Sequence, residues 1–308
     1  MNQRGQGVLA AVALTVTASG AVVTAQQVFR ASTDTVFLSV TATRSSTTVG
    51  GLDQDHFLIF EDGRPQTIEV FSRDPQPIAL SLLIDASMSM ENKMGLAADS
   101  AVGFVRRMRP DDTAQVVTFN SSTNIRQEFT ADQARLERAI RMTRASGSTS
   151  LYTAIYIAFS ELDRIGRRTQ GEVRRQAIVL LSDGEDTTSV VDYDAVLERA
   201  KRSDVIVFAI GLRGGYGSGS AQGFRQHDFA LRSLAQTTGG RVFYVDAAAQ
   251  LPAVYNQIAD ELASQYTIGY TSRNTSRDGA WRQITIRVDE PGVVARTRAG
   301  YFGPTKTP

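Results

Sequence analysis

Between residues 78 and 245 the chain alternates two hydrophobic rhythms. Short apolar runs recur: "IALSLLI" (78–84), "AQVVTF" (114–119), "AIVLLS" (177–182), "VIVFAI" (205–210) and "RVFYV" (241–245). Between them lie longer stretches with apolar residues three and four apart, near 93–108, 132–141, 151–165, 193–202 and 227–237, and one more follows the last run, near 251–263. Continuous apolar runs suit strands covered on both faces, and the longer stretches suit amphipathic helices. Strand–helix alternation of this kind predicts a doubly wound α/β domain, here over 76–263, with a mostly parallel sheet. "NIRQEF" (124–129) is more polar and reads as an edge strand.

The rhythm changes on both sides of that domain. Residues 28–74 read as β: "TVFLSVTAT" (35–43) alternates with period two, and "HFLIFEDGRPQTIEVFSRD" (56–74) has two apolar runs around an Asp-Gly signal. The expected hairpin pairs 57–60 with 67–71. Residues 264–303 read as β again, through "SQYTIGYTS", "WRQITIRVDE" and "VVARTRAGYF". Each flank alone offers few strands, and so small a sheet is marginal. The two flanks are therefore expected to pair as one accessory β module.

Composition narrows the chemistry. The 308 residues are 42% hydrophobic and 21% charged, with a formal net charge of +1, so no global field argues for nucleic acid. There is no cysteine, which excludes disulfides, thiolate metal sites and a cysteine nucleophile. The two histidines, His56 and His227, are too few for a His-rich zinc site and read as surface or packing residues. At the N-terminus, Arg4, an apolar run and Val23-Thr24-Ala25 predict a signal peptide over 1–25, cleaved before Gln26. The expected localisation is exported, periplasmic or secreted, with membrane contact only through that segment if it stays uncleaved.

The strand ends carry the candidate chemistry. "LLIDASMSM" ends an apolar run in Asp85, Ser87 and Ser89; Asp183 follows "AIVLLS"; Thr149 in "SGSTSLYTAI" precedes a helix. In open α/β sheets ligands bind outside the carboxyl ends of the strands, where these loops converge. Two carboxylates and three hydroxyls form an all-oxygen set that suits a hard divalent cation, Mg²⁺ with Mn²⁺ or Ca²⁺ as alternatives. Taken alone, "DASMS" suits helix capping as well as metal binding; Thr149 and Asp183 tilt the reading toward metal.

Those motifs, "DASMS", "STSLYTAI" and "LLSDGEDTTS", resemble the metal-ion-dependent adhesion site of von Willebrand factor type A domains. The resemblance implies a Rossmann-like fold, direct ligation by Ser87 and Ser89, and Asp85 and Asp183 acting often through water. Thr149 would act either way. The flanks resemble the bacterial "VWFA-related" family best known from Acidobacteria. The function so implied is a non-enzymatic, metal-dependent protein-binding module whose partner supplies an acidic residue to the ion. Two rivals stand beside it: a scaffold in which the ion only locks loops, and a metal-assisted hydrolase.

Other signals point elsewhere. The glycine-rich stretch 211–223 lacks the Gly-Lys-Ser/Thr ending of a phosphate loop and reads as a surface loop; no glycine-rich turn follows the first strand, so no nucleotide is expected. No Gly-x-Ser-x-Gly elbow is present to activate a serine. Glu185 and Asp186 could support the oxygen cluster from behind or form a solvated loop, with the loop the favoured reading, and Trp281 reads as core.

Overall fold

The computed structural model describes residues 35–168, 174–212 and 221–306, and only the backbone of 168 and 221–226. The expected signal peptide and residues 213–220 of the glycine-rich stretch lie outside that range. The chain opens with β1 (Thr35–Arg44), β2 (Thr47–Thr48), β3 (Phe57–Glu61), β4 (Arg64–Gln66) and β5 (Val70–Ser72). Next come β6 (Ile78–Asp85), α1 (Met94–Val105), β7 (Thr113–Phe119), β8 (Thr123–Thr130), α2 (Gln133–Arg141), α3 (Leu151–Arg168) and β9 (Arg175–Ser182). Then follow α4 (Tyr193–Lys201), β10 (Ile206–Leu212), α5 (Ala221–Thr238), β11 (Arg241–Val245) and α6 (Leu251–Ala263). The last strands are β12 (Tyr266–Thr271), β13 (Trp281–Val288), β14 (Val293–Arg296) and β15 (Gly300–Phe302).

The apolar runs form the expected sheet, in the order β11-β10-β9-β6-β7-β8. Its pairs are parallel except β7 with β8, which is antiparallel at the edge. Alternation along each strand feeds two cores. Leu80, Leu82 and Ile84 face α1, α2 and α6; Ala79 and Leu83 face α3, α4 and α5. Helix starts follow local chemistry: the Asp132 and Asp192 carboxylates accept the N–H groups of Arg135 and Ala195 at the first turns of α2 and α4. From β6 the order runs outward through β7 one way and β9 the other, so the topological switch point lies between the ends of β6 and β9.

The flanks interleave. β1 lies between β12 and β14, β3 pairs β13, and both sheets bury side chains in one shared core around Val40, Ile59, Tyr266 and Ile284. An N-terminal strand thus finds its neighbours in the C-terminal segment. A buried carboxylate ties this module to the α/β domain: Glu261 of α6 accepts from Arg241 of β11 at 3.3 Å and from Arg296 of β14 at 2.5 Å.

Two local expectations need correction. The Asp-Gly hairpin is present, but its return strand is Arg64–Gln66 rather than 67–71. Asp62 and Gly63 both have positive φ (49° and 76°), as a two-residue turn of right-handed hairpin twist requires, so Glu61 pairs Arg64 at once. Pro65 is tolerated because β4 is an edge strand. Val70–Ser72 leaves for the other sheet and pairs β12. The segment 293–302 is likewise two strands, not one. Arg296 is held by Glu261, and the Thr297 hydroxyl donates to the Ser39 carbonyl at 3.0 Å, so the chain is pinned and turned before β15 joins β13.

Candidate metal centre

Asp85 is the last residue of β6 and is fully buried. Its two oxygens are spoken for. Oδ1 accepts the Ser87 N–H at 2.9 Å, which folds the chain back after the strand, and Oδ2 accepts the Ser182 hydroxyl at 2.7 Å from the end of β9. Burial nevertheless pushes the Asp85 carboxyl up to about 6; the bonds from Ser87 and Ser182 oppose the rise, and the Asp183 charge adds slightly to it. A buried carboxylate with this bias is stabilised by a cation.

The hydroxyls continue outward in a chain. Ser89 Oγ donates to Asp183 Oδ1 at 2.7 Å. Its proton is thereby used, so Ser87 is the donor in the 3.0 Å contact between the two serine oxygens. Ser87 is 2% exposed, whereas Ser89 is exposed to solvent, so the chain runs from interior to surface. Thr149, 5% exposed, also lies beside Gly184: a β-carbon placed on that glycine would lie 3.8 Å from Thr149 Oγ1 and 4.0 Å from Ser89 Oγ. All five residues singled out in the sequence are thus gathered at the switch point.

Three loops are stitched together to hold them. Ser146 N–H donates to Ala86 O at 2.7 Å and Met88 N–H to Gly147 O at 3.0 Å, joining the loop after β6 to the one before α3. Gly147 takes φ +72°, a region that favours glycine. Thr187 and Thr188 donate to Thr149 O at 2.9 and 3.1 Å, bringing in the loop after β9. Asp186 is more than the solvated residue expected. Its carboxylate accepts the Tyr152 N–H at 3.1 Å and the Ser189 hydroxyl at 2.5 Å, so it satisfies an orphan donor in the first turn of α3.

Three contributors were not legible beforehand. Ser182 anchors Asp85. Lys93, at the start of α1, forms an ion pair with Asp183 Oδ2. His227 of α5 is buried, its pKa lowered by burial while Asp228, Asp183 and Asp186 pull it upward, which sets the imidazole within electrostatic reach of this face. Only Lys93 left a trace in sequence: it is one of three lysines in the chain and stands eight residues after Asp85.

The donor set fits a hard divalent ion in kind. Every candidate atom is oxygen, and among the described residues no group of three or more His, Cys, Asp or Glu offers an alternative. The model of the von Willebrand factor type A domain matches residues 80–257, more than half of the chain and the whole of this constellation. The chain belongs to the von Willebrand factor type A family. Among curated relatives of this type A chain, a UPF0353 protein of Mycobacterium leprae is 25% identical over 225 residues, covering 67% of this chain and 65% of its own length. A UPF0353 protein of Nocardia farcinica is 23% identical over 267 residues, covering 77% of this chain and 76% of its own. In structure, a von Willebrand factor type A protein from Catenulispora acidiphila covers 88% of this chain and 74% of its own, with a TM-score of 0.52 at 12% identity, a likeness of fold alone.

Proposed function

We propose that this type A chain is an exported, non-enzymatic module that binds a protein partner through a divalent cation, Mg²⁺ or else Mn²⁺ or Ca²⁺, held by Asp85, Ser87, Ser89, Thr149 and Asp183. The observation that carries the reading is the convergence of these five oxygen-bearing side chains at the switch point, running from buried Asp85 to exposed Ser89. Five donors leave room in the shell of an ion that takes six or more oxygens, and an acidic side chain of the partner fills it. Export rests on the signal-like pattern of the first 25 residues, and periplasm and secretion both fit it. The loop-locking alternative is the weaker one, because backbone bonds such as Ser146 to Ala86 and Thr187 to Thr149 already hold the loops without an ion.

The test is capture of the partner from the native envelope and medium. Capture by the wild type should vanish in EDTA, return with Mg²⁺ and be absent for Asp85→Ala; capture that persists in EDTA contradicts the proposal. Acid should weaken ion binding as well. Protonation of Asp85, whose carboxyl is pushed up to about 6, competes with the metal, so Mg²⁺ affinity should fall as the pH drops below that value. An affinity that stays level down to about pH 5 would count against Asp85 as part of the site.

A further inference from the structure

Lys93 is in an unfavourable place for a cation. It is the N-cap residue of α1, where the helix dipole repels positive charge, and the first turn carries no acidic residue to offset it. Its side chain is only 19% exposed, and that of Asp183 is 1% exposed. The ammonium lies on Asp183 Oδ2 while Ser89 occupies Oδ1, so one carboxylate is shared between a hydroxyl of the oxygen cluster and a tethered positive charge. The backbone keeps the lysine there: its N–H donates to Met90 O at 2.9 Å, and its carbonyl accepts from Ala97 at 2.9 Å.

Charge accounting gives this contact a consequence. Asp85 and Asp183 supply two negative charges and Lys93 one positive, so a divalent ion meets a net charge of minus one instead of minus two. It must also displace or tolerate an ammonium already in contact with one of its carboxylates. Two cations that share a carboxylate repel each other, and beneath a partly buried surface that repulsion is weakly screened.

We infer that Lys93 is a built-in counter-ion: it stabilises the metal-free loops by pairing Asp183 and competes with the divalent ion for that carboxylate, lowering the affinity of the site. The inference rests on the metal-binding reading above. It makes ion occupancy a balance between a tethered and a free cation, so that loading follows the ambient concentration of the divalent ion.

The experiment is calorimetric titration of MgCl₂ into the EDTA-stripped full chain, with melting curves recorded in EDTA and in Mg²⁺. Lys93→Met, which keeps length and removes charge, should bind Mg²⁺ about ten-fold more tightly than wild type. Its melting temperature in EDTA should be lower and its rise on adding Mg²⁺ larger. Lys93→Arg, which keeps the charge, should stay within about two-fold of wild type. Lys93→Gln replaces the methionine variant should the latter not fold. Equal or weaker Mg²⁺ binding by the uncharged variants, with wild type still binding, overturns the role of Lys93 alone. No binding by wild type or variants removes the metal reading and this inference together.

Discussion

Asp85→Asn is expected to make the metal-free protein more stable at about pH 8 while abolishing its response to Mg²⁺. The folded carboxyl titrates at about 6 against an ordinary value of 3.8, so folding favours its protonated form. The stability it contributes is full below the unfolded value and is lost as pH rises through the folded one. Above that window, keeping the buried carboxylate ionised costs roughly 3 kcal/mol. Asparagine removes the charge and keeps the local bonds: its carbonyl accepts the Ser87 N–H, and its amide can donate to Ser182 Oγ, which also lies 3.3 Å from Gly184 O. In EDTA, urea unfolding should therefore show the variant ahead by up to about 3 kcal/mol at pH 8, with the two proteins converging near pH 4. In Mg²⁺ the wild type should gain stability and the variant should not. An asparagine variant less stable than wild type in EDTA at pH 8 would show that Asp85 supports the fold rather than straining it.

Glu61→Ala is expected to lower stability by about 4 kcal/mol, because breaking a buried ion pair from one side strands its partner. Glu61 and Arg282 are 1% and 2% exposed, with 3.8 Å between Oε1 and Nη1. The same carboxylate accepts from Tyr270 at 2.8 Å, Tyr301 at 2.8 Å and Ser272 at 2.6 Å. Burial, and then the Glu61 contact, push the Tyr270 phenol far above its ordinary range, so it stays a neutral donor. Alanine leaves three hydroxyls without this acceptor and the buried Arg282 charge without its carboxylate in the core of the accessory module. Glu61→Gln keeps an acceptor and should lose less. Denaturant unfolding at fixed pH measures both, and a loss below about 1 kcal/mol for alanine would mean that Arg282 finds full compensation from its bonds to the Asn274 and Ser276 carbonyls.

What could be read beforehand divides along physical lines. The run 78–84 ending in Asp85, the helices near 132–141 and 193–202, and the edge strand over 124–129 depend on local periodicity, which a sequence displays directly. The convergence of Asp85, Ser87, Ser89, Thr149 and Asp183 was also legible, because strand order in such sheets places the ends of β6 and β9 side by side. Contacts set by tertiary packing were not. Glu61 looked like a turn residue beside Asp62-Gly63, yet its side chain points into the shared core. Arg64–Gln66 carries a proline, which hid a strand that is tolerated only at an edge. The break between β14 and β15 is imposed by Glu261 and Ser39, remote in sequence from Arg296 and Thr297. Lys93 looked like the start of an ordinary helix; its pairing with Asp183 spans 90 positions.

Whether Asp85, Ser87, Ser89, Thr149 and Asp183 hold a divalent ion is decided by calorimetric titration of MgCl₂ into the EDTA-stripped full chain. Wild type should show saturable one-to-one binding and a melting temperature that climbs with Mg²⁺ concentration, and Asp85→Ala should lose both. Wild-type protein that takes up no Mg²⁺, Mn²⁺ or Ca²⁺, or an Asp85→Ala variant that binds the ion as tightly as wild type, would contradict a metal site at these five residues.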